Sequence, residues 1–127
     1  MSKLISSLMQ ARVWSIDMDD TILEVERQFA EQGLTWAPVL ESKRAIVGVI
    51  SAADLLQFHA QERDPARVAA WQLCSYKPIS VDETTPLAEV ARQMTEQGIH
   101  HVVVTRGDGI AGVVSSMDFV KTFVDAG

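Results

Sequence analysis

The chain has 127 residues, 47% of them hydrophobic and 22% charged, with a formal net charge of −6 and one cysteine. That length suits a single globular module able to bury a core without disulfide staples. The acidic balance argues against a nucleic-acid binder and an anionic membrane surface, and a lone Cys74 leaves no intrachain disulfide or cysteine-built metal cluster.

The stretch from Met1 to Gln10 carries one lysine and no long apolar core, so no secretory signal is expected. Nowhere does an apolar run reach the ~20 residues of a membrane span, and the cytoplasm is the expected location. Leu4, Ile5, Leu8 and Met9 are spaced as the apolar face of an opening helix. Val13 to Ile16 is a short strand, and Ile22, Val25 and Phe29 then recur at helical spacing until Gly33, a helix-ending residue. Trp36 to Leu40 and Ala45 to Ile50 form a hairpin across Ser42-Lys43-Arg44. The second of these strands runs through Ser51 into a helix that carries Asp54 and reaches about Arg63. Asp64-Pro65 predicts one more helix, with Asp as cap, Pro at the first position and an apolar face of Val68, Trp71 and Cys74. It must end before Lys77-Pro78, because the residue before a proline is pushed out of helical geometry.

The same grammar then repeats. Ile79 to Val81 is a strand, Thr85-Pro86 starts a helix with Leu87, Val90 and Met94 on one face, and Gly98 ends it. His101 to Thr105 and Ile110 to Val114 form a hairpin across Gly107-Asp108-Gly109, whose last strand runs through Ser115 into a helix bearing Asp118 and reaching about Asp125. Shifted by 65 positions, Ser15-Ile16-Asp17 falls on Ser80-Val81-Asp82, and Glu31-Gln32-Gly33 on Glu96-Gln97-Gly98; a further one-residue slip brings Gly48 onto Gly112. The chain is one α+β unit written twice, helix–strand–helix–strand–strand–helix, with residues 1–63 as the first repeat and 64–127 as the second. Two copies are too few for a solenoid and suit a pseudo-twofold pair.

Both copies contain strand–Ser-x-x-Asp, at Ser51/Asp54 and Ser115/Asp118. Two readings are open. Ser and Asp three residues apart make a capping box, each satisfying a free backbone N–H. Alternatively, the helix N-terminus attracts phosphate while the carboxylate accepts hydrogen bonds from ribose hydroxyls.

Three groups of residues carry a family resemblance. They are Leu73-Cys74-x-x-x-Pro78-Ile79-x-Val81, Gly98-Ile99-His100-His101-Val102-Val103-Val104, and the duplicated Ser-x-x-Asp turn. In order and spacing these resemble the tandem CBS domain pair, or Bateman module, over essentially the whole chain. The first copy departs from the pattern, with Val13 where Pro78 stands and Thr35-Trp36 where the two histidines stand. The resemblance implies a regulatory module that binds an adenine nucleotide (AMP, ADP or ATP) or S-adenosylmethionine in clefts between the copies, and that often forms a disc-like homodimer. It implies that Asp54 and Asp118 hold ribose hydroxyls and that Ser51 and Ser115 lie near phosphate. Lys77, Pro78 and Ile79 would frame an adenine edge, as Arg12, Val13 and Trp14 would in the first copy. His100, His101 and Arg106 would neutralise phosphate. Trp36, at the position of His101, is expected to fill its cleft and leave the second copy the better site.

Other motifs read more plainly. Asp17-Met18-Asp19-Asp20-Thr21 resembles the nucleophile loop of haloacid-dehalogenase-type phosphatases, in which Mg²⁺ bridges the carboxylates. Its counterpart Asp82-Glu83-Thr84-Thr85-Pro86 destroys that motif while keeping the turn, which favours a solvated helix start. His100 and His101 are adjacent in a strand and point to opposite faces, so no shared metal is expected. The expectation is a non-enzymatic ligand-sensing module with no obligatory cofactor, no metal, and a separate effector protein as partner. A structural dimerisation module with vestigial clefts is the alternative, and an Mg²⁺-dependent phosphatase at Asp17 the remote one.

Overall fold

A computed structural model describes residues 3–76 and 79–126. They divide into a contiguous unit, Trp14–Pro78, and a composite unit made of Met1–Val13 with Ile79–Gly127.

The contiguous unit contains β1 (Ile16–Asp17), α1 (Ile22–Gln32), β2 (Trp36–Glu41), β3 (Ala45–Ser51), α2 (Ala52–Ala60), α3 (Ala70–Leu73) and β4 (Ser75–Tyr76). Its sheet runs β1-β2-β3-β4, with β1 parallel to β2 and the remaining pairs antiparallel. The composite unit contains a 3₁₀ turn (Ile5–Ser7), β5 (Ser80–Asp82), α4 (Leu87–Gln97), β6 (His101–Arg106), β7 (Gly109–Ser115) and α5 (Ser116–Ala126). Its sheet is β5-β6-β7, with β5 parallel to β6 and a β6–β7 hairpin. The architecture is the duplicated α+β unit that the repeat implies.

The periodic residues form the cores. Ile22, Val25 and Phe29 of α1 pack with Val39, Ile50 and Phe58; Val90 and Met94 of α4 pack with Val102, Val104 and Val114. Burial of each such side chain is worth about 1.5–3 kcal/mol. Thr21 caps α1, its Oγ1 accepting from Glu24 N at 3.2 Å. Gly33 and Gly98 end α1 and α4 at φ 64° and 63°, left-handed conformations that side chains resist. Both hairpins shift register at the same point, after Val39 and after Val104, so even the bulge is duplicated.

Each unit is closed by a strap that precedes the other repeat in sequence. In the contiguous unit, Ile22 N donates to Val68 O and Ala70 N to Asp20 O, both at 2.8 Å, and Thr21 bridges Ala69. The composite unit has the same contacts 65 positions away: Leu87 N to Lys3 O and Ile5 N to Thr85 O, both at 2.8 Å, with Leu4 bridging Pro86. These bonds satisfy backbone N–H groups that a helix start leaves free. Further along the straps, Ser75 pairs with Val49 of β3, and Gln10 pairs with Val113 of β7. The approach is close. A Cβ on Gly48 would strike the Ser75 carbonyl oxygen, and one on Gly112 would lie 2.7 Å from the Gln10 carbonyl oxygen.

The straps account for two departures from the expected elements. Asp64-Pro65 opens a turn rather than a helix, and helical structure is confined to Ala70–Leu73. The Asp64 carboxylate accepts from Ala66 N at 3.0 Å, and the Pro65 and Val68 carbonyls accept from the first N–H groups of α1. A helix through 64–69 would withdraw those carbonyls. The opening helix is likewise reduced to the Ile5–Ser7 turn, because its backbone is used against Thr85 and Glu83. Cys74 is buried in the contiguous core, which pushes its thiol pKa up and keeps it unreactive.

Candidate functional site

The site of the composite unit is built where β7 turns into α5. Ser115 N donates to Asp118 Oδ2 at 2.8 Å and Asp118 N to Ser115 Oγ at 3.3 Å, the reciprocal pattern of a capping box. Asp118 is 8% exposed and is the buried polar residue among the described residues. A buried carboxylate requires partners. A second one comes from the strap: Gln10 Nε2 donates to Asp118 Oδ1 at 3.1 Å.

His101 pairs with Ser115 across the β6–β7 ladder and lies close enough for the Asp118 charge to act on it. Burial holds the His101 imidazole below the usual histidine value; the neighbouring His100 pushes the same way, and Asp118 opposes both. His101 is therefore a neutral ring at neutral pH in the ligand-free chain. His100 lies in the bend immediately before β6. Its carbonyl accepts from Ser116 N at 3.0 Å, its Nδ1 lies 3.4 Å from Ser116 Oγ, and it lines a hollow of about 290 Å³ with Ile99 and Gly98.

The contiguous unit has the corresponding turn from β3 into α2. Ser51 N and Ser51 Oγ donate to Asp54 Oδ2 at 2.8 and 2.9 Å, and Asp54 N donates to Ser51 Oγ at 3.2 Å. Asp54 is half-buried rather than buried, and its Oδ1 takes no hydrogen bond among the described residues. Trp36 pairs with Ser51 in the ladder, the place His101 holds beside Ser115.

The remaining expected residues distribute unevenly. Ile79 belongs to the composite unit, where its carbonyl accepts from Val103 N at 3.0 Å and its side chain packs on the core. Arg12 and Val13 also lie in that unit, whereas Ser51 and Asp54 lie in the other. Lys77 and Pro78 fall outside the described residues. Arg106 is engaged by the Glu83 carboxylate.

The Asp17 loop is a turn. Asp17 Oδ1 accepts from Asp19 N at 2.9 Å, and its counterpart Asp82 accepts from Thr84 N at 2.9 Å. Asp20 Oδ2 accepts from Gln28 Nε2 at 3.0 Å. The carboxylates thus organise the helix start in both copies.

Gln10 is the site residue that sequence reasoning missed. It stands 108 positions from Asp118, and only its strap pairing with Val113 brings it there. The available signal was the 65-residue shift, which sets Gln10 against Ser75 and so marks the strap as a place where the copies differ.

Known proteins match this architecture. The CBS domain family matches residues 5–60 and again residues 70–125. A 17.7 kDa uncharacterised protein of Acidianus ambivalens is 22% identical over 126 residues, covering 98% of this chain and 76% of that protein. The solved CBS domain pair of protein MJ0100, in complex with 5′-methylthioadenosine and S-adenosyl-L-methionine, superposes with a TM-score of 0.87 at 19% identity, covering all of both chains. The CBS domain of a bacterial CNNM/CorC family Mg²⁺ transporter, in complex with ATP, gives a TM-score of 0.86 at 22% identity, covering 96% of this chain and 87% of that one. Likeness at these identities speaks to fold, while the two family matches together take in most of the sequence. The chain belongs to the CBS domain family and is a tandem pair of its repeats.

Proposed function

We propose that this chain is a regulatory module that binds an adenosyl ligand, AMP, ADP, ATP or S-adenosylmethionine, and passes the event to a separate effector protein. The observation that carries this reading is the duplicated helix start with an inward carboxylate, Asp118 in one unit and Asp54 in the other. Helix N-termini supply free N–H groups and a positive dipole end for phosphate. A carboxylate beside them accepts from ribose hydroxyls with charge-assisted strength. His101 lies across the ladder from Ser115 and near Asp118; burial lowers its pKa, and an approaching phosphate would favour its protonated form. Solved relatives of the same fold hold adenosyl compounds, which supports this chemistry here. Ligand would act by favouring one packing of the protein over another, in a cytoplasmic homodimer.

Thermal unfolding with and without AMP, ATP and S-adenosylmethionine tests the proposal. Ligand at a hundredfold excess over its dissociation constant adds about 2.7 kcal/mol of stability, and the combined Asp54→Ala and Asp118→Ala change abolishes the gain. A chain indifferent to every adenosyl compound at millimolar concentration sinks it.

A second reading, a structural interaction module with closed sites, has two observations in its favour. Both carboxylates are already engaged as helix caps, and α5 exposes Met117, Val120, Phe123 and Val124. That reading expects a dimer whose unfolding ignores the ligand panel.

A further inference from the structure

We infer that Gln10 decides which of the two carboxylates receives a ribose first, by holding in Asp118 the oxygen that stays open in Asp54. The inference rests on the adenosyl-binding reading above and adds to it a specificity-determining residue outside the repeat motif.

The two turns share their backbone. Ser115 N donates to Asp118 Oδ2, and Ser51 N donates to Asp54 Oδ2, each at 2.8 Å. They part at the second hydrogen bond each carboxylate accepts: Asp54 Oδ2 takes it from its own Ser51 Oγ at 2.9 Å, and Asp118 takes it from the strap on its other oxygen. Asp118 Oδ1 accepts from the Gln10 amide at 3.1 Å; Asp54 Oδ1 takes no hydrogen bond among the described residues. The source of the difference is one strap position. Gln10 and Ser75 are held alike by main-chain pairing, Gln10 N to Val113 O at 2.8 Å with Val113 N to Gln10 O at 3.1 Å, and Ser75 against Val49. From that anchor a glutamine reaches the carboxylate, and the shorter serine hydroxyl makes no hydrogen bond to Asp54.

A ribose arriving at Asp54 finds an acceptor ready. At Asp118 it must displace an amide already bonded to a charged oxygen, one of the stronger hydrogen bonds a protein makes. The displaced amide is not stranded, because Gln10 is exposed and rehydrates as it swings out. The Asp118 site is therefore gated rather than dead. Asp54 fills at low ligand concentration, and Asp118 fills only at higher concentration, releasing the strap's side-chain tether as it does so. The unequal sites expected from Trp36 and His101 remain unequal, with the order reversed.

Calorimetric titration of the full chain with adenosine and with AMP tests this. An Asp54→Asn background isolates the Asp118 site and retains a side chain able to cap α2. In that background Gln10→Ala tightens binding about tenfold, the worth of removing one competing charge-assisted bond. Gln10→Asn, one methylene short of the carboxylate, does the same. Adding Asp118→Ala erases the gain. Affinity that is unchanged or weaker on Gln10→Ala, in a chain whose wild type binds, overturns the gate and makes Gln10 a bystander or a ligand contact. If wild type and every variant stay folded by circular dichroism yet bind neither compound, the adenosyl reading itself fails.

Discussion

The helix starts at Ser51 and Ser115 share their reciprocal backbone capping bonds, in units closed by straps with the same contacts 65 positions apart. Their surroundings differ at a few side chains. Trp36 stands where His101 stands, Ser75 where Gln10 stands, and Phe58 where Thr122 stands. Duplication has preserved what the backbone needs, namely the Ser-x-x-Asp caps, the left-handed glycines, the bulge and the strap pairing. It has left free what touches the carboxylate. Scaffold and site have thus separated within one chain, and each substitution between the copies is an experiment on the site at constant fold.

The largest effect should come from the helix that follows the turn. Phe58 is fully buried in the contiguous core, whereas Thr122 is half-buried and donates to the Asp118 carbonyl at 3.1 Å. Phe58→Ala should lose about 3–5 kcal/mol in denaturant unfolding, and Thr122→Ala no more than about 1 kcal/mol. Similar losses would mean that the two helices are held alike and that the comparison is too sharp.

Next come the carboxylates themselves in the ligand-free chain. Asp118→Ala removes a buried acceptor, leaving Ser115 N without its partner while the exposed Gln10 amide rehydrates, at a cost of about 2 kcal/mol. Asp54→Ala removes a half-exposed cap and costs about 1 kcal/mol. Urea midpoints measured on the two variants should keep that order; a larger loss at Asp54 would show Gln10 contributing nothing to the hold on Asp118.

The smallest effect is on pH dependence and involves one copy only. His101 has a folded-state pKa below its ordinary value of ~6.5. Its contribution is fully present above that value and is lost as pH falls through it, because the unfolded chain then binds the proton more readily. Stability followed from pH 7 down to pH 5.5 should decline in the wild type and decline less in His101→Gln. Trp36 gives the other unit no such slope.

Much of the fold was legible in the sequence, because its signals are local. Ile22, Val25 and Phe29 mark a helix face by spacing alone, Gly33 and Gly98 mark the helix ends, and the hairpin turns carry their own residues. The repeat itself gave the element order. The straps were not legible in this way. Asp64-Pro65 has every local mark of a helix start, yet the α1 N-terminus takes the Pro65 and Val68 carbonyls, a tertiary demand that propensity cannot express. For the candidate site, the Ser115–Asp118 turn was legible as a motif, whereas His101 entered through the family resemblance. His100 lies in the bend before β6, where it lines a hollow with Gly98 and Ile99. Gln10 had no motif to announce it.

The strap exchange has a consequence for the order in which the chain can fold. Residues 14–78 form a compact unit from contiguous sequence, so its contacts become available as soon as that stretch leaves the ribosome. Residues 3–10 leave earlier, but the surfaces they pair with, Thr85 and Val113, are made much later. Residues 3–10 are therefore placed late, after closure of a loop on the order of a hundred residues, the slow kind of contact in folding kinetics. Until then Ile5 stays out of its core, and Gln10 is far from Asp118. The two helix-start carboxylates thus reach their final surroundings at different times, Asp54 before Asp118.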